Sequence, residues 1–371
     1  VNKQEGLFRV RSHYLQSGAR IINKMTTQYQ SAMEQIENNP GTWLVTGAAG
    51  FIGSNLVESL LLLNQRVVGL DNFSTGYRQN LIDVQETVQP GQWAGFNFIE
   101  GDIRDFDTCV KICSNVDYVL HQAAIGSVPR SIEDPLYVNS NNLSGFLNML
   151  AAARDAGVKR FVYAASSAVY GDHPGLPKVE DETGRSLSPY AVTKIVNELY
   201  AEVFAECYGF KSIGLRYFNI FGRRQDPEGA YAAVIPRWFA GLVRGGPVHV
   251  FGDGETSRDF CYIDNCVQAN ILAATTSDEE ALNRVYNIAC GQRTTLNELF
   301  ELIKMQVIRA GHDVQDARPV YLDFRPGDVR HSHADISRAR DLLGYDPGYS
   351  VKDGLARTAE WYCSLPHAIS A

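Results

Sequence analysis

Short apolar runs alternate with longer stretches in which apolar residues recur every three or four positions, and the alternation is regular from Thr42 to about residue 218. The runs Trp43-Leu44-Val45, Arg66 to Leu70, Phe96 to Glu100, Tyr118 to His121, Phe161 to Ala164 and Lys211 to Arg216 predict strands. The stretches between them, of which Ile52 to Leu63 is the clearest, carry the helical period. Strands separated by helices of this length imply right-handed crossovers, hence an α/β fold with a doubly wound parallel sheet. After Asn219 the rhythm breaks into loops rich in Gly, Pro and Arg, then into helices and short strands. That change predicts a smaller C-terminal α/β lobe closing over the carboxyl edge of the sheet, where such folds bind ligands.

The expected organisation follows. Residues 1–24 lack an apolar signal core and precede Met25, so they read as a cloning-derived or disordered leader. Residues 25–41 form an N-terminal extension with a short helix over 26–37 before Pro40-Gly41. Residues 42–218, with a return segment near 250–275, make the sheet domain; 219–249 and 276–371 make the second lobe.

Composition narrows the function classes without choosing among them. A chain of 371 residues with 45% hydrophobic and 20% charged residues buries a large core. Its net charge of −8 argues against nucleic acid or an acidic membrane surface as a partner, and no apolar run reaches the length of a membrane span. Cys109, Cys113, Cys207, Cys261, Cys266, Cys290 and Cys363 are scattered and odd in number, the usage expected of free thiols in a reducing cytoplasm. His331-Ser332-His333 has no second cluster to complete a metal site, so no metal is expected.

Thr46-Gly47-Ala48-Ala49-Gly50-Phe51-Ile52-Gly53 joins the first predicted strand to the first helix. Gly47, Gly50 and Gly53 permit a tight turn, close approach to a pyrophosphate and close packing of helix on strand, with the anion at the helix N-terminus. Asp71 ends the second strand, where a carboxylate accepts the ribose hydroxyls and repels a 2′-phosphate. NAD is therefore favoured over NADP, with Arg78 nearby as the counter-indication. Asp102, after the third strand, has two readings: a contact to the adenine amino group or a helix N-cap.

Ser166 and Ser167 follow the fifth strand, and Tyr190 and Lys194 stand one turn apart in a predicted helix, so they project from one face. An ammonium beside a phenol favours the phenolate, which predicts a Tyr190 titrating below its ordinary value and acting as a base. A nucleotide pocket and a proton-transfer pocket thus share one framework.

With these motifs the chain resembles the extended short-chain dehydrogenase/reductases and, within them, the UDP-hexose 4-epimerases, above all those acting on UDP-N-acetylglucosamine. The resemblance spans roughly residues 42–365. It is carried by the Thr46–Gly53 loop, Asp71-Asn72, Gly101-Asp102-Ile103, His121-Gln122-Ala123-Ala124, Ser166 to Gly171, Tyr190 to Lys194, Arg216 to Asn219, Arg258-Asp259-Phe260 and Arg325 to Asp328. It implies a Rossmann-type sheet, a UDP-sugar-binding second lobe, tightly held NAD and a homodimer built on helices around 140–156 and 190–208. Tyr190 is then the base and acid, Lys194 the ribose ligand, and Ser166, with Ser167 second, the partner of the reacting hydroxyl. Phe51, Ile52, Asn72, Ile103, Gln122, Ala123, Ala124 and Asn142 join the cofactor set, although Asn142 also reads as a helix cap. Asn219, Ala233, Val234 and Ile235 match positions that hold the nucleotide, and Arg258, Arg325 and Asp328 lie in the diphosphate motifs. In the family the 4-hydroxyl gives up its proton and C4 its hydride, the 4-keto sugar rotates, and the hydride returns to the other face.

The resemblance also points to a sugar. Ser332 matches a position on the C2 side, where a small residue leaves room for a 2-acetamido group; the alternative is a small loop residue. Gly126, Ser127 and Gln225 match the subgroup that prefers N-acetylated sugars. Weaker activity on UDP-glucose and UDP-galactose is compatible with this. Dehydratases and UDP-glucuronate decarboxylases of the family place a carboxylate just before Val-Tyr-Gly, where this chain has Ser167-Ala168. A dinucleotide sensor without chemistry would have lost Ser, Tyr or Lys, and all three are present. Ile195, Leu199, Val203 and Phe204 at helical spacing fit a core face or a subunit interface equally.

Overall fold

The computed structural model describes residues 27–229, 232–324 and 329–364. A parallel sheet forms the centre of the molecule. Its strands are β1 (Thr42–Thr46), β2 (Arg66–Asp71), β3 (Phe96–Glu100), β4 (Tyr118–His121), β5 (Arg160–Ser166), β6 (Ser212–Tyr217) and β7 (Arg284–Ile288). They lie in the order β7-β6-β5-β4-β1-β2-β3. Alternation along a strand sends neighbours to opposite faces. Trp43 and Val45 accordingly join a core with Leu56, Leu60 and Ile271, while Leu44 joins Val119, Phe146 and Phe161 on the other face. The order turns back between β1 and β4, and a ligand cleft opens beyond the carboxyl ends of strands at such a reversal.

Six strands and the crossover helices stand where the hydrophobic pattern put them, the first helix at Phe51–Leu62. The seventh strand corrects the expected division of the chain. Residues 284–288, assigned to the second lobe, pair in parallel with β6 and close the sheet edge, so the return segment extends past 275. Their partner lies at 213–217, a pairing no local pattern announces.

The second lobe has its own core. Helices Val234–Val243, Leu296–Arg309 and Val351–Ser364 contribute Phe239, Leu299, Phe300, Ile303 and Leu355, packed beside the Val248–Phe251 and Pro319–Leu322 strand pair. The N-terminal helix is Thr27–Asn38, its Tyr29, Ala32 and Ile36 buried in the sheet's core, and Gln65 Nε2 donates to the Ile36 carbonyl at 2.8 Å. The leader, residues 1–24, lies outside the described residues.

Candidate active site

The glycine loop is built by the end of β1 and closed by Asp71. Gly47 has φ +69°, a left-handed conformation that disfavours a β-carbon. A β-carbon at Gly53 would collide with the Gly47 carbonyl, so helix and loop approach this closely only with glycine. Asp71 Oδ2 accepts from Ala49 N at 2.9 Å and Oδ1 from Phe73 N at 2.8 Å. Burial pushes its carboxyl up, against the pull of those backbone N–H groups. Each oxygen keeps a lone pair for a hydroxyl, so the loop and carboxylate fit the adenosine and pyrophosphate of a dinucleotide.

Around this end Gly47, Gly50, Phe51, Ile52, Gly53, Asn72, Ile103, Gln122, Ala123 and Ala124 line a cavity of about 840 Å³. Asp102 turns elsewhere: its carboxylate takes Arg104 at 2.7 Å and Asn72 Nδ2 at 2.9 Å, and the Arg104 bonds hold it at about 2. The helix cap here is Asp105, accepting from Asp107 N, which corrects the capping alternative for Asp102. Arg78 pairs with Glu100 at 2.6 Å and lies over Phe73, so its guanidinium has a partner outside the cavity.

The proton-transfer end stands in the same cavity. Ser188 caps the long helix Pro189–Tyr208, accepting from Ala191 N at 3.1 Å, and Pro189 occupies its first turn. Tyr190 and Lys194 follow on one face and both line the cavity with Ser166. Ser166 Oγ accepts from Ala168 N at 3.1 Å and shares a hydrogen bond with the Tyr190 phenol. Ser167 belongs to the turn Ser167–Tyr170 and is not among the lining residues. Lys194, 3% exposed, donates from Nζ to the Ala164 carbonyl at 2.6 Å. Burial lowers it to about 8, opposed by the charge of Glu198 one turn on, which Arg216 grips at 2.9 and 2.7 Å.

One electrostatic expectation is corrected. Burial raises Tyr190 above its ordinary value, and the Ser166 hydrogen bond only partly offsets this. Nζ of Lys194 stands 5.9 Å from the ring centroid and is aimed at a carbonyl, so desolvation of the phenolate wins.

A second cavity of about 310 Å³ adjoins the first and shares Asn219, Ile220, Gln225, Ala232 and Ala233 with it. Val234, Ile235 and Arg258 complete its expected set, and Gly126 and Ser127 line the first. Asn219 Nδ2 donates to the Asp259 carbonyl at 3.1 Å, and Arg258 Nη1 to the Ser257 carbonyl at 3.0 Å. Gln225 Nε2 donates to Ile220 O at 3.2 Å, while its Oε1 is buried without a partner. Ser332 lies beside this region, its N–H on Ser257 O at 3.0 Å, but lines neither cavity. Arg325 and Asp328 lie outside the described residues.

Asn142 is neither a cap nor a lining residue. It sits in the π-helical turn Ser140–Gly145, exchanging bonds with both backbone groups of Ile125 and donating to Thr193 Oγ1. Its neighbour Asn141 lines the cavity instead. Tyr77, Tyr217 and Asp226 also line it unforeseen, Tyr77 donating to Asp226 across the mouth at 2.7 Å. Tyr217 was within reach of the sequence, inside the quoted Arg216–Asn219 motif. Among the described residues no cluster of three or more His, Cys, Asp or Glu is placed to hold a metal, and no helix is long and apolar enough to cross a membrane.

A dinucleotide loop, a Ser-Tyr-Lys set and a second-lobe cavity on a Rossmann-type sheet define an extended short-chain dehydrogenase/reductase. Residues 43–289 match the model of the NAD dependent epimerase/dehydratase family, and the chain belongs to that family, with NAD as cofactor. A putative UDP-glucose 4-epimerase of Methanocaldococcus jannaschii is 36% identical over 320 residues, covering 86% of this chain and 97% of its own. The structure of a UDP-N-acetylglucosamine 4-epimerase from Methanobrevibacter ruminantium, in complex with UDP-N-acetylmuramic acid, is 38% identical with TM-score 0.79, covering 88% of this chain and 99% of that one. UDP-glucuronic acid 4-epimerase from Bacillus cereus, in complex with UDP-glucuronic acid and NAD, is 31% identical with TM-score 0.76, covering 86% and 98%.

Proposed function

We propose that this UDP-sugar 4-epimerase, an NAD-dependent isomerase, interconverts UDP-N-acetylglucosamine and UDP-N-acetylgalactosamine, with weaker activity on UDP-glucose and UDP-galactose. The observation that carries the sugar is Gln225 in the wall shared by the two cavities. A polar amide in that wall suits a 2-acetamido group, and a sugar with a bare 2-hydroxyl is a poorer match. Gly126 and Ser127 line the same cavity. Ser332 supports the reading less than its motif position implies, because neither cavity wall includes it.

Tyr190 takes the proton of the sugar 4-hydroxyl and returns it after the 4-keto sugar has turned over. Ser166, bonded to the phenol, holds the hydroxyl in line. Bound NAD supplies the acceptor and donor of the C4 hydride. The glycine loop and Asp71 hold its adenosine end, and Lys194 its nicotinamide ribose. The nucleotide of the substrate takes the second cavity along Asn219 and Ala233–Ile235, with Arg258 on the diphosphate, where a guanidinium fork suits phosphate oxygens. A homodimer on the long helix and a cytoplasmic setting complete the proposal.

The test is proton NMR of UDP-N-acetylglucosamine with purified protein and no added cofactor. Appearance of UDP-N-acetylgalactosamine is expected. Conversion of UDP-glucose alone overturns the sugar assignment, and a 4-keto-6-deoxy product from either sugar, or a decarboxylated product when UDP-glucuronic acid is offered, overturns epimerisation.

A further inference from the structure

A closed ring of hydrogen bonds stands behind the wall of the larger cavity, and the chemistry above does not use it. Asn270, 0% exposed, lies in the helix Ile263–Thr275, whose Val267 and Ile271 join the core on one face of the sheet. Its Nδ2 donates to the Cys266 carbonyl, one turn earlier, at 2.8 Å and to the Tyr217 hydroxyl at 2.9 Å. Its Oδ1 accepts from Gln122 Nε2 at 3.1 Å, and the Tyr217 hydroxyl donates to Gln122 Oε1 at 3.1 Å. The other acceptor near that one phenolic proton, Asn270 Oδ1 at 3.2 Å, already serves Gln122. Asn270, Tyr217 and Gln122 thus each donate once and accept once around the ring. The bond to the helix carbonyl sets its direction. It needs the amide nitrogen of Asn270 on that side, which leaves Oδ1 for Gln122 and so orients the Gln122 amide too.

Asn270 does not line the cavity, but both its partners do. Gln122 N donates to the Thr46 carbonyl at 3.2 Å, where the glycine loop begins, and a β-carbon on Gly47 would stand 3.2 Å from the Gln122 carbonyl carbon. Tyr217 is in register with Ser166 at the carboxyl ends of β6 and β5. Ala164, whose carbonyl takes Lys194, lies two residues before Ser166. Gln122 and Tyr217 therefore wall the stretch between the glycine loop and the Ser166, Tyr190 and Lys194 set. A dinucleotide with its adenosine at Asp71 and its pyrophosphate on the loop places its nicotinamide half there. Burial holds the Tyr217 phenol well above its ordinary value, so it stays a hydroxyl and the ring stays closed. A satisfied polar ring of this kind fixes one arrangement, where apolar packing would leave the Gln122 amide free to turn.

We infer that Asn270 is a positioning residue for hydride transfer: from behind the wall it holds Gln122 and Tyr217 in the one arrangement that seats the nicotinamide half of NAD against C4 of the sugar, given the nicotinamide ribose at Lys194 as proposed above. The identity of the sugar does not enter. The helix Ile263–Thr275 contributes no residue to either cavity and reaches the chemistry only through this ring.

The test measures kcat, KM and the kinetic isotope effect of a substrate deuterated at C4 on the holoenzyme, with whichever UDP-sugar the wild type converts. The variants are Asn270→Leu, Gln122→Leu and both together. Asn270→Leu keeps the side chain's bulk and removes every bond it makes in the ring. It lowers kcat about tenfold, the worth of one hydrogen bond, while KM for the UDP-sugar holds and the isotope effect reaches full primary size. With Gln122→Leu already present, Asn270→Leu lowers kcat no further. An unchanged kcat, a fall in kcat without an isotope effect, or a loss that adds in full to that of Gln122→Leu makes the ring purely structural and overturns the inference. A Lys194→Met variant that retains and uses NAD like the wild type overturns the ribose placement instead. If Asn270→Leu does not yield folded protein with bound NAD, Tyr217→Phe, which opens the ring at one hydroxyl and keeps the aromatic ring, is read in the same way.

Discussion

At the scale of single residues the site turns on how burial treats charge. Tyr190 and Lys194 are both enclosed, and enclosure disfavours the phenolate and the ammonium alike: the phenol rises and the amine falls to about 8. Lys194 nonetheless stays mainly protonated at neutral pH, because Glu198, itself locked by Arg216, returns part of what burial takes. Ser166 lowers the cost of ionising Tyr190 by donating to the phenolate. Tyr190→Phe removes the one oxygen able to carry the proton while leaving the ring in place. It is expected to lower kcat by ~10²–10⁴-fold with bound NAD and thermal stability retained, as read by turnover, ultraviolet absorbance and melting temperature on the same preparation. Loss of NAD in that variant would instead make Tyr190 a structural element of the cofactor site.

At the scale of elements, the long helix Pro189–Tyr208 answers a question its periodicity leaves open. Phe204 is buried and Ile195 packs against the sheet's core, whereas Leu199 and Val203 are 53% and 49% exposed. One stripe of the helix is core; the other is an uncovered apolar surface, continued by Val192, Leu187, Ile132 and Leu136, the last 82% exposed. That surface is the face the proposed homodimer would bury. The double substitution Leu199→Asp, Val203→Asp is expected to give a monomer in sedimentation equilibrium where the wild type is a dimer, with the fold intact by circular dichroism. A wild-type monomer at micromolar concentration removes the dimer proposal. The π-helical turn Ser140–Gly145 is a second case in which element geometry decides a role. Its extra residue per turn swings Asn141 toward the cavity and Asn142 onto Ile125 and Thr193.

At the scale of the whole molecule, Asp259 joins distant segments: its carboxylate accepts from Cys290 N at 2.9 Å and Ala334 N at 3.3 Å, and its carbonyl holds Asn219. Burial lifts the carboxyl from 3.8 to about 6, more than those N–H groups lower it. A folded value above the unfolded one means the native state holds this proton more tightly. The contribution is therefore fully present below about pH 4 and is lost as pH rises through 6. The difference amounts to ~3 kcal/mol at 1.36 kcal/mol per unit. Asp259→Asn, which cannot ionise, is expected to gain on the wild type by up to that amount between pH 4 and pH 7 in denaturant titrations. A difference that does not vary with pH overturns the assignment. The sequence by itself determined what rests on neighbours along the chain: six strands and their helices from apolar spacing, the Gly47–Gly53 loop with Asp71, and the Tyr190–Lys194 pair one turn apart. What depends on residues remote in sequence was decided by tertiary structure alone. Strand β7 is recruited by β6, burial raises Tyr190 despite the nearby ammonium, and the exposed stripe of the long helix is left by packing on its other side. Local pattern reports backbone preference and the face a residue shares with its neighbours; desolvation, pairing and the direction of a side chain follow from what the rest of the chain brings alongside.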